Sequence, residues 1–433
     1  MQVKSSLVSI SIAVIAINLL LVNSNINFGP NDWKGALESD AKGYYAYLPA
    51  IFIHQDLNFS FLEENEAKYA QHHIYWDYRS TVNGVAINKC FIGVSVLQAP
   101  FFLIAHAISY IDHQDLDGYS KWYMLFISIS SIFYHLVGLY FFSKLLQFFK
   151  VRPEVIALLL FSISFGTNLY VYTLVEAGMS HSYSFCLVSV FIWACYRAFV
   201  LKQDNQFWKC SLLVGLIVIS RPVNAMIVLF IPFLFSAFSE FVLRLKDIFT
   251  NWKSIMQLIL PFVLMISIQL IYYKLATGKF FVYSYNEEGF IFSNPEWINF
   301  LFSYKKGLFL YTPIYLVATL SLFFNKSLPI VRKLLWFLAM GTVIYVFSSW
   351  WMWFFGGGFS GRVIVDYIPL FMLPLGLFLN QVKPKRGVII SSVIVLLIVV
   401  CQIQSYQYRY YEIHYSEMTK EKYWDVFLLR NRF

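Results

Sequence analysis

Asp40 lies in the stretch Glu38-Ser39-Asp40-Ala41-Lys42-Gly43-Tyr44-Tyr45, just beyond the first long apolar run. A carboxylate there could take a proton from a hydroxyl nucleophile at a membrane surface. A plainer role competes, because Ser-Asp ahead of a helical stretch is an ordinary cap, here for a helix over Ala41 to His54. Glu176 and His181 flank Gly178-Met179-Ser180 in what reads as a tight turn. The imidazole can orient or protonate a ligand at neutral pH, whereas most such turns are simply solvated. Arg221, followed by Pro222, falls in the middle of the apolar run 210–236. A guanidinium in that setting needs an aqueous cavity, an anionic ligand or a buried acid such as Glu176. Lys305-Lys306-Gly307 opens a further apolar run. Adjacent lysines at that point suit a phosphate, and snorkelling toward lipid headgroups is the alternative. Arg362 follows Trp350-Trp351-Met352-Trp353-Phe354-Phe355-Gly356-Gly357-Gly358-Phe359-Ser360-Gly361, whose indoles and glycines suit an interfacial groove where backbone approaches a ligand. Asp366, one helical turn later, could simply pair with Arg362.

Other chemistries are poorly represented. Asp115-Leu116-Asp117 spells a DxD, a pattern too short to mark a metal by itself, and His72-His73 has no matching ligand cluster. The five cysteines form no CxxC pair and mostly sit inside apolar runs, so they read as small core residues. There is no Walker loop and no dinucleotide glycine fingerprint, which removes support for nucleotide-driven transport and for dinucleotide chemistry. No residue is assigned to a metal.

Composition says what kind of element must position these groups. Of 433 residues, 59% are hydrophobic, 20% aromatic and 13% charged, against roughly 25% charged in soluble domains. Apolar runs of about 17–25 residues recur throughout, the length a helix needs to cross roughly 30 Å of hydrocarbon. The chain therefore reads as a single membrane domain over 1–433, all-α and multi-pass. A net charge of +9 would suggest nucleic acid in a soluble protein. Here Lys and Arg sit in short loops between apolar runs, so the charge is a topology signal and no nucleic-acid partner is expected. The first run, Leu7 to Val22 behind Lys4, has the shape of a signal-peptide core. No small-x-small cleavage site follows at Asn23 to Phe28, so it reads as an uncleaved first span.

Runs fall at 7–23, 90–111, 121–143, 154–174, 182–200, 210–236, 254–276, 307–324, 334–349, 363–379 and 387–405. If each crossed once from an inner N-terminus, the loops of Lys144, Lys150 and Arg152 and of Lys202 and Lys209 would face outward, against the positive-inside bias. Two adjustments remove the conflict. The segment 90–111, interrupted by Gln98, Pro100 and His106, reads as an interfacial or re-entrant helix pair that returns to the outer face. The run 210–236 reads as two half-helices meeting at Arg221-Pro222 in a protein-lined cavity. The loops 144–153, 201–209, 237–253, 325–333 and 381–387 then lie inside, each with basic residues. This predicts about nine full spans plus a broken helix pair, with a first outer loop at 24–120 and a short outer tail at 406–433. In the first outer loop, Tyr44, Tyr45, Tyr47, Leu48, Ile51 and Phe52 recur at near-helical spacing, with Trp33, Tyr75, Trp76 and Tyr78 nearby. Such aromatics favour the headgroup level, which predicts juxtamembrane amphipathic helices.

An acid in a long first outer loop, interfacial helices after it and basic residues on the outer face together resemble the GT-C glycosyltransferases. These are polytopic enzymes that use polyprenyl-phosphate sugars, such as the protein O-mannosyltransferases and the aminoarabinose transferases. The resemblance is carried by Ser39-Asp40-Ala41-Lys42-Gly43-Tyr44-Tyr45, Gln98-Ala99-Pro100-Phe101-Phe102, Gly166-Thr167-Asn168-Leu169-Tyr170, Ser180-His181-Ser182-Tyr183-Ser184-Phe185, Ser220-Arg221-Pro222, Lys306-Gly307-Leu308-Phe309 and Gly361-Arg362. It implies a GT-C-like bundle that transfers a sugar with inversion from a polyprenyl-phosphate donor to a glycan, lipid or protein acceptor. Asp40 would be the general base, and Lys305, Lys306, Arg221 and Arg362 would hold the donor phosphate. His181, Glu176 and Tyr44 would bind or orient substrate. The implied setting is the bacterial cytoplasmic membrane with the site on the periplasmic face, among membrane lipids. Many relatives place a second acid beside the first; here the neighbours are Ser39 and Ala41, which leaves dependence on a divalent cation (Mg or Mn) open. A flippase for lipid-linked sugars would also want a cationic groove and a broken helix, but should show inverted-repeat halves, and none is evident. An O-antigen ligase or polymerase would carry its large outer loop late in the chain.

Overall fold

The computed structural model describes residues 2–69 and 76–429, so His72, His73 and Tyr75 lie outside the described residues. Backbone in hydrocarbon must satisfy its own N–H and C=O groups, and a helix does so within one segment. The apolar runs accordingly become α1 (Gln2–Asn27), α4 (Gly93–Ile111), α5 (Lys121–Phe148), α6 (Pro153–Gly166), α7 (Leu169–Leu174), α8 (Ser180–Cys195), α9 (Phe207–Ser220) and α11 (Trp252–Thr277). They continue, after the short α12 (Trp297–Phe302), as α13 (Leu308–Tyr311), α14 (Ile314–Phe324), α15 (Ile330–Ser348), α16 (Ile368–Gln381) and α17 (Pro384–Arg409). Among the described residues, eight helices are long and apolar enough to cross a membrane, or nine if one bent pair counts as a span. Their outward faces are apolar: Leu264, Leu338 and Ile389 are 60%, 68% and 65% exposed. Ser128, Ser131, His135, Ser164 and Thr173 are buried between helices instead, the reverse of a water-soluble bundle. The chain is an integral multi-pass membrane protein.

The basic loops gather at one end of the bundle. The Arg152 backbone N–H donates to Asn380 Oδ1 (2.9 Å) and its guanidinium to Leu379 O (3.1 Å), tying the α5–α6 turn to the end of α16. Arg332 Nε donates to Phe233 O at 2.8 Å, and its guanidinium lies over the Phe149 ring. Arg244 donates to Ala198 O (2.7 Å), and Ser327 N–H to Gln381 Oε1 (3.1 Å). The loops expected on one side are thus in mutual contact.

Three parts of the expected topology need correction in detail. The segment 90–111 is one continuous helix, not a broken pair. Its polar interruptions are absorbed by neighbours: Gln98 Nε2 donates to Tyr183 Oη (3.1 Å), and His106 Nδ1 meets Tyr123 Oη (2.6 Å). Pro100 lies within the helix, its lost hydrogen bond outweighed by tertiary packing. Both ends of α4 nevertheless lie away from the basic loops. Gly93 sits against the backbone of Ser220, and His106 against the start of α5.

The run 210–236 does break at Arg221-Pro222. Arg221 is extended (φ −152°, ψ 104°), and Pro222 opens a 3-10 segment, Pro222–Leu234, that returns toward the basic end. A second bend of 113° follows, into α10 (Phe238–Thr250). What read as an inner loop is therefore an amphipathic helix, exposing Phe238, Val242, Leu243 and Phe249, as suits a membrane interface.

In the first loop, the helix expected over Ala41 to His54 is present as α2 (Asp40–Pro49) continued by a π-helical turn, Ala50–His54. Its tyrosines face protein and not lipid headgroups. Tyr44, Tyr45 and Tyr47 are buried, and Tyr47 meets Phe59 and Tyr272 edge-on. The covering elements are α3 (Leu62–Tyr69) and an antiparallel hairpin of β1 (Arg79–Val82) and β2 (Val85–Asn88), with Ser80 opposite Ile87. Nothing in the hydrophobic pattern announced that hairpin. The tail also folds back: α18 (Lys420–Val426) places Tyr423 against Tyr304 and Tyr311.

Candidate functional site

Asp40 is the first residue of α2, and its carboxylate does not cap that helix. It reaches across the chain, and Arg362 Nη2 donates to Asp40 Oδ2 at 2.7 Å. Asp366 does not pair with Arg362, as spacing allowed. It is wholly buried and receives Asn224 Nδ2 (2.7 Å) and Arg221 Nη1 (3.1 Å) on Oδ2, with His181 Nδ1 3.0 Å from Oδ1. The acid beside Arg221 is therefore Asp366, not Glu176. The sequence did carry a signal for it: Asp366 is a lone acid inside an apolar run and needs a partner as much as Arg221 does.

Small side chains let these pieces approach. A Cβ on Gly178 would stand 2.8 Å from the Ala41 Cβ and 2.5 Å from Leu37 Cδ2. The turn carrying Glu176 and His181 thus packs directly beneath the start of α2, beside Asp40. His181 lies edge-on to Tyr172 (4.6 Å between centroids) and only 3.1 Å from Arg221 Nη1. Tyr172 Oη in turn accepts from the Phe359 N–H (2.8 Å) and donates to Phe359 O (3.0 Å), which fixes the glycine-rich loop. Gly358 has φ +146°, and a Cβ there would meet Tyr172 Oη at 2.8 Å and Arg362 Cδ at 3.3 Å.

The other expected residues fall in two groups. Asp40, Tyr44, Glu176, Arg221 and Arg362 line one cavity of about 840 Å³, together with Trp350 and Trp351. Glu176 accepts from the Tyr408 hydroxyl, and burial raises its carboxyl above the usual range despite that bond. Tyr44 is likewise held in its neutral phenol form by burial. Lys306 is buried behind the glycine loop, donates to Gly356 O and does not snorkel. Burial, then the nearby Arg362, push its ammonium well below the ordinary value, with Glu176 opposing. Lys305 lies over the Phe354 ring at 3.6 Å. Neither lysine is among the residues lining the cavity, and His181 stands behind Arg221.

The DxD carboxylates are occupied by a cation of the chain itself, with Lys68 Nζ at 2.8 Å from Asp115 and 2.7 Å from Asp117. Among the described residues, no group of three His, Cys, Asp or Glu side chains is placed to hold a metal ion. A carboxylate beside guanidinium groups, in a cavity that opens among aromatic residues, can accept a proton and stabilise an anion within one volume.

No family model matches the chain, and no curated protein matches it in sequence. Among solved structures, it is similar to ArnT from Cupriavidus metallidurans bound to undecaprenyl phosphate, with a TM-score of 0.49 and 13% sequence identity. The match covers 91% of this chain, which spans 64% of the length of that one.

Proposed function

We propose that this protein is a membrane glycosyltransferase that moves a sugar from a polyprenyl-phosphate donor to an acceptor hydroxyl, with Asp40 as general base. The observation that carries the reading is the Asp40–Arg362 pair, 2.7 Å apart in the wall of a cavity that also holds Arg221. The acceptor oxygen gives its proton to Asp40 Oδ1 and bonds the anomeric carbon. The bond from that carbon to the phosphate oxygen breaks, and its electron pair leaves on the polyprenyl phosphate. One displacement inverts the anomeric centre. Arg221 and Arg362 receive the developing phosphate charge, worth most in a site where water is scarce. Arg362 also fixes the Asp40 rotamer, so its arrangement is set before substrate arrives. Lys306 adds positive charge from behind the glycine loop. Lys305, over the Phe354 ring, adds charge from outside the cavity, while Tyr44 and Glu176 shape the wall and His181 orients Arg221 from behind. A divalent cation is not required by this scheme.

The site is assigned to the outer face of a bacterial cytoplasmic membrane. What supports this is the grouping of the basic loops at the opposite end, since Lys and Arg are retained on the cytoplasmic side. Donor binding tests the reading directly. Purified protein in nanodiscs should bind undecaprenyl phosphate, and Arg221→Gln with Arg362→Gln should weaken binding by about a hundredfold, two lost charge-assisted contacts of roughly 1.5 kcal/mol each. Equal binding by the double variant would refute the assignment of the phosphate to these arginines.

A further inference from the structure

The cavity has a second chemical character away from the arginines. Between α2, α3 and the hairpin its wall is formed by Lys42, Asn65, Glu66, Trp76, Tyr78 and Tyr119. The charges there cancel: Lys42 Nζ lies 2.5 Å from Glu66 Oε1, with the side chains 15% and 14% exposed. Asn65 is 8% exposed, and its Nδ2 has no hydrogen-bond partner among the described residues. Buried amides are ordinarily paired, so one left spare beside a cavity points to a ligand atom. Aromatic faces offer an apolar surface with a polar edge. An anion would find no net positive charge in this arm, and a purely apolar ligand would leave the amide and the ion pair unmatched.

We propose that this arm is a subsite for a neutral saccharide, which makes the acceptor of the transfer a glycan. A pyranose has an apolar C–H face and a rim of hydroxyls. The rings of Trp76 and Tyr119 take the face, with the wholly buried Tyr78 backing them, while Asn65 and the Lys42–Glu66 pair take the rim. Lys42 is on the same first turn of α2 as Asp40, so a sugar held there presents a hydroxyl toward the base. The inference rests on the transferase reading for its role, though not for the binding itself.

The test uses the full chain in nanodiscs, saturation-transfer NMR with maltose, cellobiose, lactose and N,N′-diacetylchitobiose one at a time, and undecaprenyl phosphate titrated into the same samples. At least one disaccharide should give saturable transfer. Asn65→Ala and Trp76→Ala should each weaken it about tenfold or more, Trp76→Phe should hold it within about threefold, and undecaprenyl phosphate affinity should stay within about twofold in all three. Absence of saturable binding by every sugar, or binding unchanged in both alanine variants, overturns the subsite. Variants that lose undecaprenyl phosphate together with the sugar have lost their fold, and the contrast of Trp76→Phe with Trp76→Ala then decides. Sugar binding with no undecaprenyl phosphate binding by the native chain would instead sink the transferase reading and leave the subsite standing.

Discussion

Arg221 reaches the cavity because Asp366 holds the guanidinium from behind, with His181 beside both and Asn224 donating to the same carboxylate. Removing one partner of such a buried pair leaves the other uncompensated, so Asp366→Ala should destabilise the protein by about 3–5 kcal/mol. Denaturant unfolding in detergent measures this, and Asp366→Asn, which keeps hydrogen bonds, should lose less. Glu176 behaves differently, since burial raises its pKa in the folded state above the unfolded value. Its contribution to stability is full below the ordinary carboxylate range and is lost as pH rises through the raised folded value. Glu176→Gln, which still accepts from Tyr408, should therefore melt at the native temperature or above near neutral pH and show less loss of stability across that window. Melting curves collected from pH 4 to 8 check this; a Gln variant that is less stable throughout contradicts it. Lys306 couples in the opposite sense to ligand. Its pKa is depressed in the free protein, and an anion nearby raises it, so binding takes up a proton. Undecaprenyl phosphate affinity should be greatest below the free value and fall as pH rises toward the bound one. Calorimetry in buffers of different ionisation enthalpy would detect the uptake.

At the scale of elements, the glycine-rich loop is the most constrained piece of the site. Gly358 has φ +146° and no room for a methyl group beside Tyr172 and Arg362. Gly358→Ala should cost roughly 1–3 kcal/mol of backbone strain and displace Arg362 from Asp40, lowering melting temperature and transfer together. Elements were legible where a hydrophobic period or a proline marked them. The break at Arg221-Pro222 and the helix after Ser39 follow from such local rules. Two elements were not. The β1–β2 hairpin holds its place through side chains remote in sequence, with Ser80 Oγ donating to Ser284 O and Tyr272 Oη accepting from the Asn88 N–H. The continuity of α4 across Pro100 depends on partners supplied by α5 and α8, which no window of sequence contains. For the same reason single residues were easier to flag than to pair. Asp40 stood out as an acid just beyond the first span, and Arg221 and Arg362 as charges within or beside apolar runs, whereas the exchange that joins Arg362 to Asp40 and Asp366 to Arg221 needed the fold.

The whole molecule has two unlike ends, one carrying the basic loops and the other carrying the cavity. Reporter fusions at residue 150 and within the 112–120 loop should give opposite readings, cytoplasmic for the first and external for the second. Inverted readings, external at residue 150 and cytoplasmic in the 112–120 loop, would mean that α4 crosses the membrane, and equal readings would mean that α5 does not. The two-ended arrangement matters because a lipid-linked donor presents its phosphate at one leaflet, and all the proposed chemistry must meet it there. The central claim is that Asp40 deprotonates an acceptor at that leaflet, and it is tested most directly by Asp40→Asn expressed in cells, with surface glycans and lipid-linked sugars read by mass spectrometry. With the variant inserted at the native level, one sugar should be missing from a glycan while its polyprenyl-phosphate donor accumulates. Glycans and donor pools identical to those of the native protein would contradict the account.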